Sequence, residues 1–129
     1  MYLDSMYFRK GWFVIKYQSR EYWNSLVKMS LSRFFILRVL CCRSLHGYDI
    51  TREVSAITGG CCAPTEGSLY PVLREFEQNG LVSCRVEATG RRERKVYTLT
   101  DQGRTAYAAA TEAWGEAARY ILAEVGSPG

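Results

Sequence analysis

The densest run of chemistry-bearing side chains is Arg91-Arg92-Glu93-Arg94-Lys95, which places four cations in five positions directly behind Gly90. Guanidinium and ammonium groups gathered this closely bind polyanions, phosphate oxygens above all. Such a run is more often a solvated turn, so its meaning depends on what stands beside it. The five cysteines fall as Cys41-Cys42, Cys61-Cys62 and Cys84. Their number is odd and the pairs are adjacent, so neither a disulfide framework nor the Cys-x-x-Cys spacing of structural zinc is expected. Cys61-Cys62 is the more suggestive pair, a place where a soft metal, an arsenical or an oxidant could act as effector. The plainer alternative is a pair of small buried thiols. His46 is the only histidine and has no Ser or Asp partner at useful spacing, which fits packing or a turn hydrogen bond. Paired carboxylates, a catalytic triad, a phosphate-cradling glycine loop and a metal-ligand cluster are all missing from the sequence. No enzymatic chemistry, cofactor or resident metal is therefore expected.

Charge distribution sharpens the polyanion reading. The net charge is +4, but residues 1–40 carry seven basic and two acidic side chains, and residues 81–100 carry five and two. The intervening and final segments are net acidic. Positive charge in two blocks is the footprint expected for a nucleic-acid partner, though weak by itself. A chain of 129 residues, 47% hydrophobic and 23% charged, reads as one globular domain. Phe34 to Cys42 is short and broken by Arg38, so no membrane span is expected. The apolar run Trp12 to Ile15 ends at Lys16, too short for a signal-peptide core, and a cytoplasmic location is expected.

The elements that must position these groups follow from periodicity. Residues 1–28 admit two readings, an ordered helical arm or a loosely held extension. Gly11 to Gln18 could form a short strand, and a helical pattern starts at Glu21 with Trp23, Leu26 and Val27 on one side. Ser30 or Ser32 is a suitable cap for a helix whose apolar residues Leu31, Phe34, Phe35, Leu37, Val39 and Leu40 are dense enough to be covered on more than one side. A second helix is expected from about Tyr48 to Thr58, with Ile50, Val54 and Ile57 at helical spacing and Gly59-Gly60 as its stop. Thr65 caps a third, with Leu69, Val72, Leu73 and Phe76 inward, Pro71 early enough to be tolerated, and Asn79-Gly80 at its end. Leu81 to Val86 and Lys95 to Thr100 read as strands, with Ala88 to Arg94 as an Arg-rich hairpin tip. Thr100 then caps a long helix to Val125, whose Tyr107, Ala110, Trp114, Ala117 and Ile121 form a seam that seeks a partner helix.

The expected architecture is mainly α with a two-stranded hairpin: a winged helix-turn-helix over 29–100, a C-terminal dimerisation helix over 101–129 and an N-terminal extension over 1–28. A short third helix starting with small polar residues fits a major groove, and a basic hairpin fits phosphates or a minor groove. Beside such a helix, Arg91, Arg92, Arg94 and Lys95 read as DNA contacts and not as a solvated turn. Thr65, Ser68, Tyr70 and Arg74 are the candidates on the helix, and Tyr48 is expected to pack at the start of the second helix with its hydroxyl free for a phosphate. A dimer would set two such helices roughly 34 Å apart.

The segment from about Leu37 to Gly103 resembles the PadR family of bacterial transcriptional regulators. The resemblance is carried by His46-Gly47-Tyr48-Asp49-Ile50, Thr65-Glu66-Gly67-Ser68-Leu69-Tyr70-Pro71-Val72-Leu73, Asn79-Gly80-Leu81, Gly90 to Tyr97 and Leu99-Thr100-Asp101-Gln102-Gly103. It covers about half of the chain. It implies a homodimeric repressor of the smaller subgroup, closed by one C-terminal helix, with double-stranded operator DNA as partner. It favours contact roles for Ser68 and Tyr70, and a ligand-stacking role for Trp114, since family members often sense small aromatics or drugs. The effector expected is thus a small molecule or a soft metal of unknown identity. The competing reading is a winged-helix module that binds a protein.

Overall fold

The computed structural model describes residues 17–126. Helix α1 (Arg20–Cys42) is capped by Ser19, whose hydroxyl accepts from the Tyr22 amide at 3.3 Å. The sequence suggested separate helical segments before and after Ser30. Instead one helix crosses the boundary drawn at 28/29, because 23 residues without Gly or Pro leave nothing to stop it. Ser30 and Ser32 lie inside it and cap nothing. The strand suggested over Gly11 to Gln18 lies outside the described residues except for Tyr17 and Gln18, which form a turn.

Strand β1 (Leu45–His46) leads into α2 (Gly47–Thr58), which stops at Gly59 with φ +62°. Helix α3 (Glu66–Gln78) follows the turn, then β2 (Val82–Thr89), β3 (Arg92–Leu99) and α4 (Asp101–Val125). The sheet is antiparallel with order β1-β3-β2, so the expected two-stranded hairpin has a third strand. Leu45 pairs with Tyr97 and His46 with Val96. Two residues carry no readable alternation; only their pairing with β3 makes them a strand.

The core joins all three helices of the winged unit to the sheet. Ile36 and Leu40 of α1, Ile50 and Val54 of α2, Leu69 and Leu73 of α3, and Val82 and Leu99 of the hairpin are buried together. Ile57, expected on the same face as Ile50 and Val54, is exposed: it lies in the last turn of α2, beside the solvent-facing Gly59 and Gly60. Thr100 ties the hairpin to its neighbours. Its hydroxyl donates to the Gly80 carbonyl at 2.6 Å and accepts from the Gly103 amide at 3.0 Å, which caps α4. A side chain at Gly103 would collide with Leu99 Cδ1 at 2.6 Å, so this glycine lets α4 leave close against the sheet.

Candidate nucleic-acid interface

Helix α3 presents an exposed polar first turn: Thr65, Glu66, Gly67 and Ser68 are all in solvent, while Leu69 behind them is fully buried. Thr65 and Ser68 form a reciprocal capping box. The Thr65 hydroxyl accepts from the Ser68 amide at 3.3 Å, and Ser68 Oγ accepts from the Thr65 amide at 3.0 Å. Thr65 was legible as a cap; the return bond from Ser68 was not, since Glu or Gln is the usual residue there. Both hydroxyls thus hold the helix end while facing solvent. Pro71 sits inside α3 without ending it. Arg74 is exposed one turn further on, and Glu75 is held from α1 by Arg33, whose Nη2 lies 2.8 Å from Oε2.

The wing is longer than the sequence suggested. Thr89 pairs with Arg92, so the tip is only Gly90-Arg91. Gly90 takes φ +64° and no other residue type has positive φ among the described residues, the pattern of a two-residue turn with glycine first. The residues expected in a loose tip, Ala88 and Arg92 to Arg94, are therefore in the ladder. Glu87 stands opposite Arg94, an opposite-charge pair that favours this pairing. The ladder gives Arg92, Arg94 and Lys95 fixed positions, all exposed, with Arg91 at the apex.

The wing and the two helices enclose a cleft of about 560 Å³. Tyr48, Tyr70, Arg92, Arg94 and Lys95 all line it, so the fold brings together candidates spread over 48 sequence positions. Thr65, Ser68 and Arg74 are on α3 outside this cleft, and Arg91 is beyond it. Tyr48 does not pack as expected: it is 66% exposed, because Gly47, not Tyr48, faces α3. Its ring instead carries the Arg52 guanidinium 5.8 Å from the centroid. Arg52 escaped the sequence reading; its position one turn after Tyr48 was the available signal. Tyr70 is half-buried against Gly47.

His46 braces the same region. Its Nδ1 lies 3.6 Å from Asp49 and its Nε2 3.3 Å from Glu87, linking the start of α2 to the wing. The Arg85 guanidinium, donating to Glu87 at 2.9 Å, holds that carboxyl below its ordinary pKa, and His46 adds to the effect.

The remaining candidates lie on other faces. Cys61 is exposed and Cys62 buried in the turn between α2 and α3, with their sulfurs 2.9 Å apart. Burial pushes the Cys62 thiol up to about 12. Cys42 accepts from Arg38 Nη1 at 2.7 Å. No group of three or more His, Cys, Asp and Glu could hold a metal among the described residues. On α4, Tyr107 stacks on Phe34 of the same chain at 5.5 Å and Ala110 is half-buried. Trp114, Ala117 and Ile121 instead line an open apolar groove of about 560 Å³ against Leu26, Leu31 and Phe35 of α1. Trp23, expected on one side of the helix with Leu26 and Val27, lines it together with them. No described helix is long and apolar enough to cross a membrane.

Comparison with known proteins agrees with this architecture. Residues 36–109 match the model of the transcriptional regulator PadR-like family. The transcriptional regulator Rv3488 of Mycobacterium tuberculosis is 34% identical over 90 residues, 70% of this chain and 81% of that protein. The transcriptional regulator YqjI of Escherichia coli is 31% identical over 71 residues, and the negative transcriptional regulator PadR of Bacillus subtilis 32% over 77. These cover 55% and 59% of this chain, which spans only 33% and 42% of their lengths. The crystal structure of Bacillus subtilis PadR in complex with operator DNA superposes with a TM-score of 0.57 at 30% identity, covering 63% of this chain and 46% of that one. With α2, α3 and the wing all inside the matched segment, which also takes in the end of α1 and the start of α4, the chain belongs to the PadR-like family of transcriptional regulators.

Proposed function

We propose that the protein is a homodimeric transcriptional repressor of the cytoplasm that binds double-stranded operator DNA through α3 and the wing and has no catalytic role. The observation that carries the reading is the placement of Arg92, Arg94 and Lys95 on a paired two-stranded ladder beside the polar first turn of α3. A helix end offers groove contacts and the ladder offers phosphate contacts at a fixed offset. The Bacillus subtilis relative solved in complex with operator DNA supports duplex DNA as the partner. The exposure of Tyr48, with Arg52 over its ring, supports a phosphate contact from the start of α2.

Dimerisation is supported by the outer half of α4. Tyr120, Ile121, Leu122 and Val125 are each more than half exposed, and Trp114 is 38% exposed over the α1–α4 groove. Several large apolar side chains left exposed on one half-helix suit an interface. A second α4 lying on it would bring Ala117 and Ile121 into contact across the pair. The same apolar walls, with Trp114 as a stacking face, suit a flat apolar effector. Thiol-based sensing at Cys61-Cys62 is a second effector mode.

Fluorescence anisotropy on the chain's own upstream DNA at two salt concentrations tests the reading. Tight, sequence-selective and salt-sensitive binding is the expected result. Absence of selective binding to any upstream fragment would transfer support to a protein-binding winged helix.

A further inference from the structure

The turn between α2 and α3 holds two neighbouring thiols in unlike surroundings. Cys61 is exposed, Cys62 is 1% exposed, and their Sγ atoms are 2.9 Å apart. The turn is pinned to the end of α2: the Cys61 amide donates to the Thr58 carbonyl at 3.2 Å, and the Cys62 amide to Thr58 Oγ1 at 3.4 Å. Pro64 is buried two residues on, and Thr65 caps α3. A change at Cys62 is thus three residues from the cap of the helix proposed to bind DNA.

The geometry selects among the chemistries open to two thiols. A disulfide favours Cα atoms about 4.4–6.8 Å apart. Neighbours across a trans peptide are held at about 3.8 Å, so direct closure is strained. A bridging soft atom relaxes that ring. With bonds to sulfur of about 2.3 Å it needs the sulfurs less than about 1 Å further apart than they stand. A divalent cation of this kind requires thiolates and further ligands, and no third ligand is grouped here among the described residues. The buried Cys62 thiol also resists ionisation.

We infer that Cys61 and Cys62 form a chelating site for a monosubstituted trivalent arsenical. Such a compound, RAs(OH)2, is satisfied by two sulfurs. Two As–S bonds form and two As–O bonds break. Each thiol proton leaves with a hydroxide as water, and no electrons are transferred. The reaction consumes neutral thiols and leaves an uncharged product, which suits a half-buried pair. Seating the arsenic atom between the sulfurs spreads them beyond their 2.9 Å separation, loosens the Thr58 contacts of the turn and displaces the capped start of α3. This regulatory step rests on the proposed role of α3 in binding DNA; the chelating site does not.

The test uses phenylarsine oxide as probe on reduced full-length protein, with intact mass and DNA anisotropy read in parallel. The variant C41S/C42S/C84S, which keeps only the turn pair, is expected to take up one equivalent with loss of both free thiols. Adding Cys61→Ala, at an exposed position, is expected to abolish the stable adduct. Failure to form it, or an adduct indifferent to Cys61→Ala, overturns the site. In the adduct, DNA affinity is expected to fall by about tenfold, within ordinary allosteric coupling. A stoichiometric adduct with unchanged affinity overturns the regulatory step. If unreacted protein binds no DNA, the proposed function fails, and the mass readout still decides the chelating site.

Discussion

The ring of Tyr70 fills the space that a side chain on Gly47 would occupy. A Cβ at Gly47 would lie 2.5 Å from the Tyr70 hydroxyl oxygen and 2.8 Å from Cε1. Glycine at the first position of α2 therefore sets how closely α2 approaches α3, and with it the cleft that Tyr48, Tyr70 and the wing share. Overpacking at such a contact costs about 1–3 kcal/mol. Gly47→Ala is expected to lower the urea midpoint accordingly, and Gly47→Ala with Tyr70→Ala to lose less than the sum of the single changes. Additive losses would show that the two residues do not share that space.

Thr65 and Ser68 satisfy one another's backbone amides at the start of α3. Removing the Thr65 hydroxyl is expected to cost about 1 kcal/mol of stability. Thr65→Ser, which keeps the oxygen, should melt near wild type, while Thr65→Ala should melt several degrees lower. Equal melting temperatures for the two would remove the capping role.

Arg91 and Arg92 straddle the tip and the last rung of the wing. Their joint replacement by alanine is expected to weaken DNA binding to all sequences alike. It should reduce the slope of log K against log salt by about 0.9 for each phosphate that is no longer neutralised. An unchanged slope would show that the tip does not touch the backbone.

Glu87 gives stability a pH dependence of known sign. Its folded-state pKa lies below the ordinary 4.5, first because Arg85 donates to it and then because His46 stands beside it. The contribution is present above the unfolded-state value and disappears as pH falls through the lower folded value. Wild type should therefore lose more thermal stability than Glu87→Gln between about pH 6 and about pH 3. The difference will be small, since solvent screens an exposed pair. Parallel acid limbs for the two proteins would remove the Arg85–Glu87 contribution.

Ile121 is 59% exposed on the outer half of α4. Placing a charge there leaves the core of the winged unit untouched. Ile121→Asp is expected to give a folded monomer by sedimentation, with operator affinity reduced by at least the loss of one half-site. A dimer of unchanged stability would place the interface elsewhere.

Helices α2, α3 and α4 were legible in the residues alone, because their signals are local. Leu69, Val72, Leu73 and Phe76 recur at helical spacing, Thr65 and Thr100 cap, Gly59 and Gly80 stop, and the three helices follow these marks. The run Arg91 to Lys95 and the order of elements were enough to suggest a winged helix, and the matched family is the one that those motifs resembled. What depended on distant partners stayed hidden. Leu45 and His46 become a strand only because Tyr97 and Val96 pair with them about fifty positions later. Tyr48 is in solvent because Gly47 takes the place against α3, and the side shared by Trp23, Leu26 and Val27 became a groove wall only when α1 and α4 met. The two adjacent thiols were visible as letters. That one is buried and the other exposed, with their sulfurs in contact, was decided by how the turn packs between α2 and α3. Periodicity reports which face a residue occupies; only packing decides what lies opposite that face.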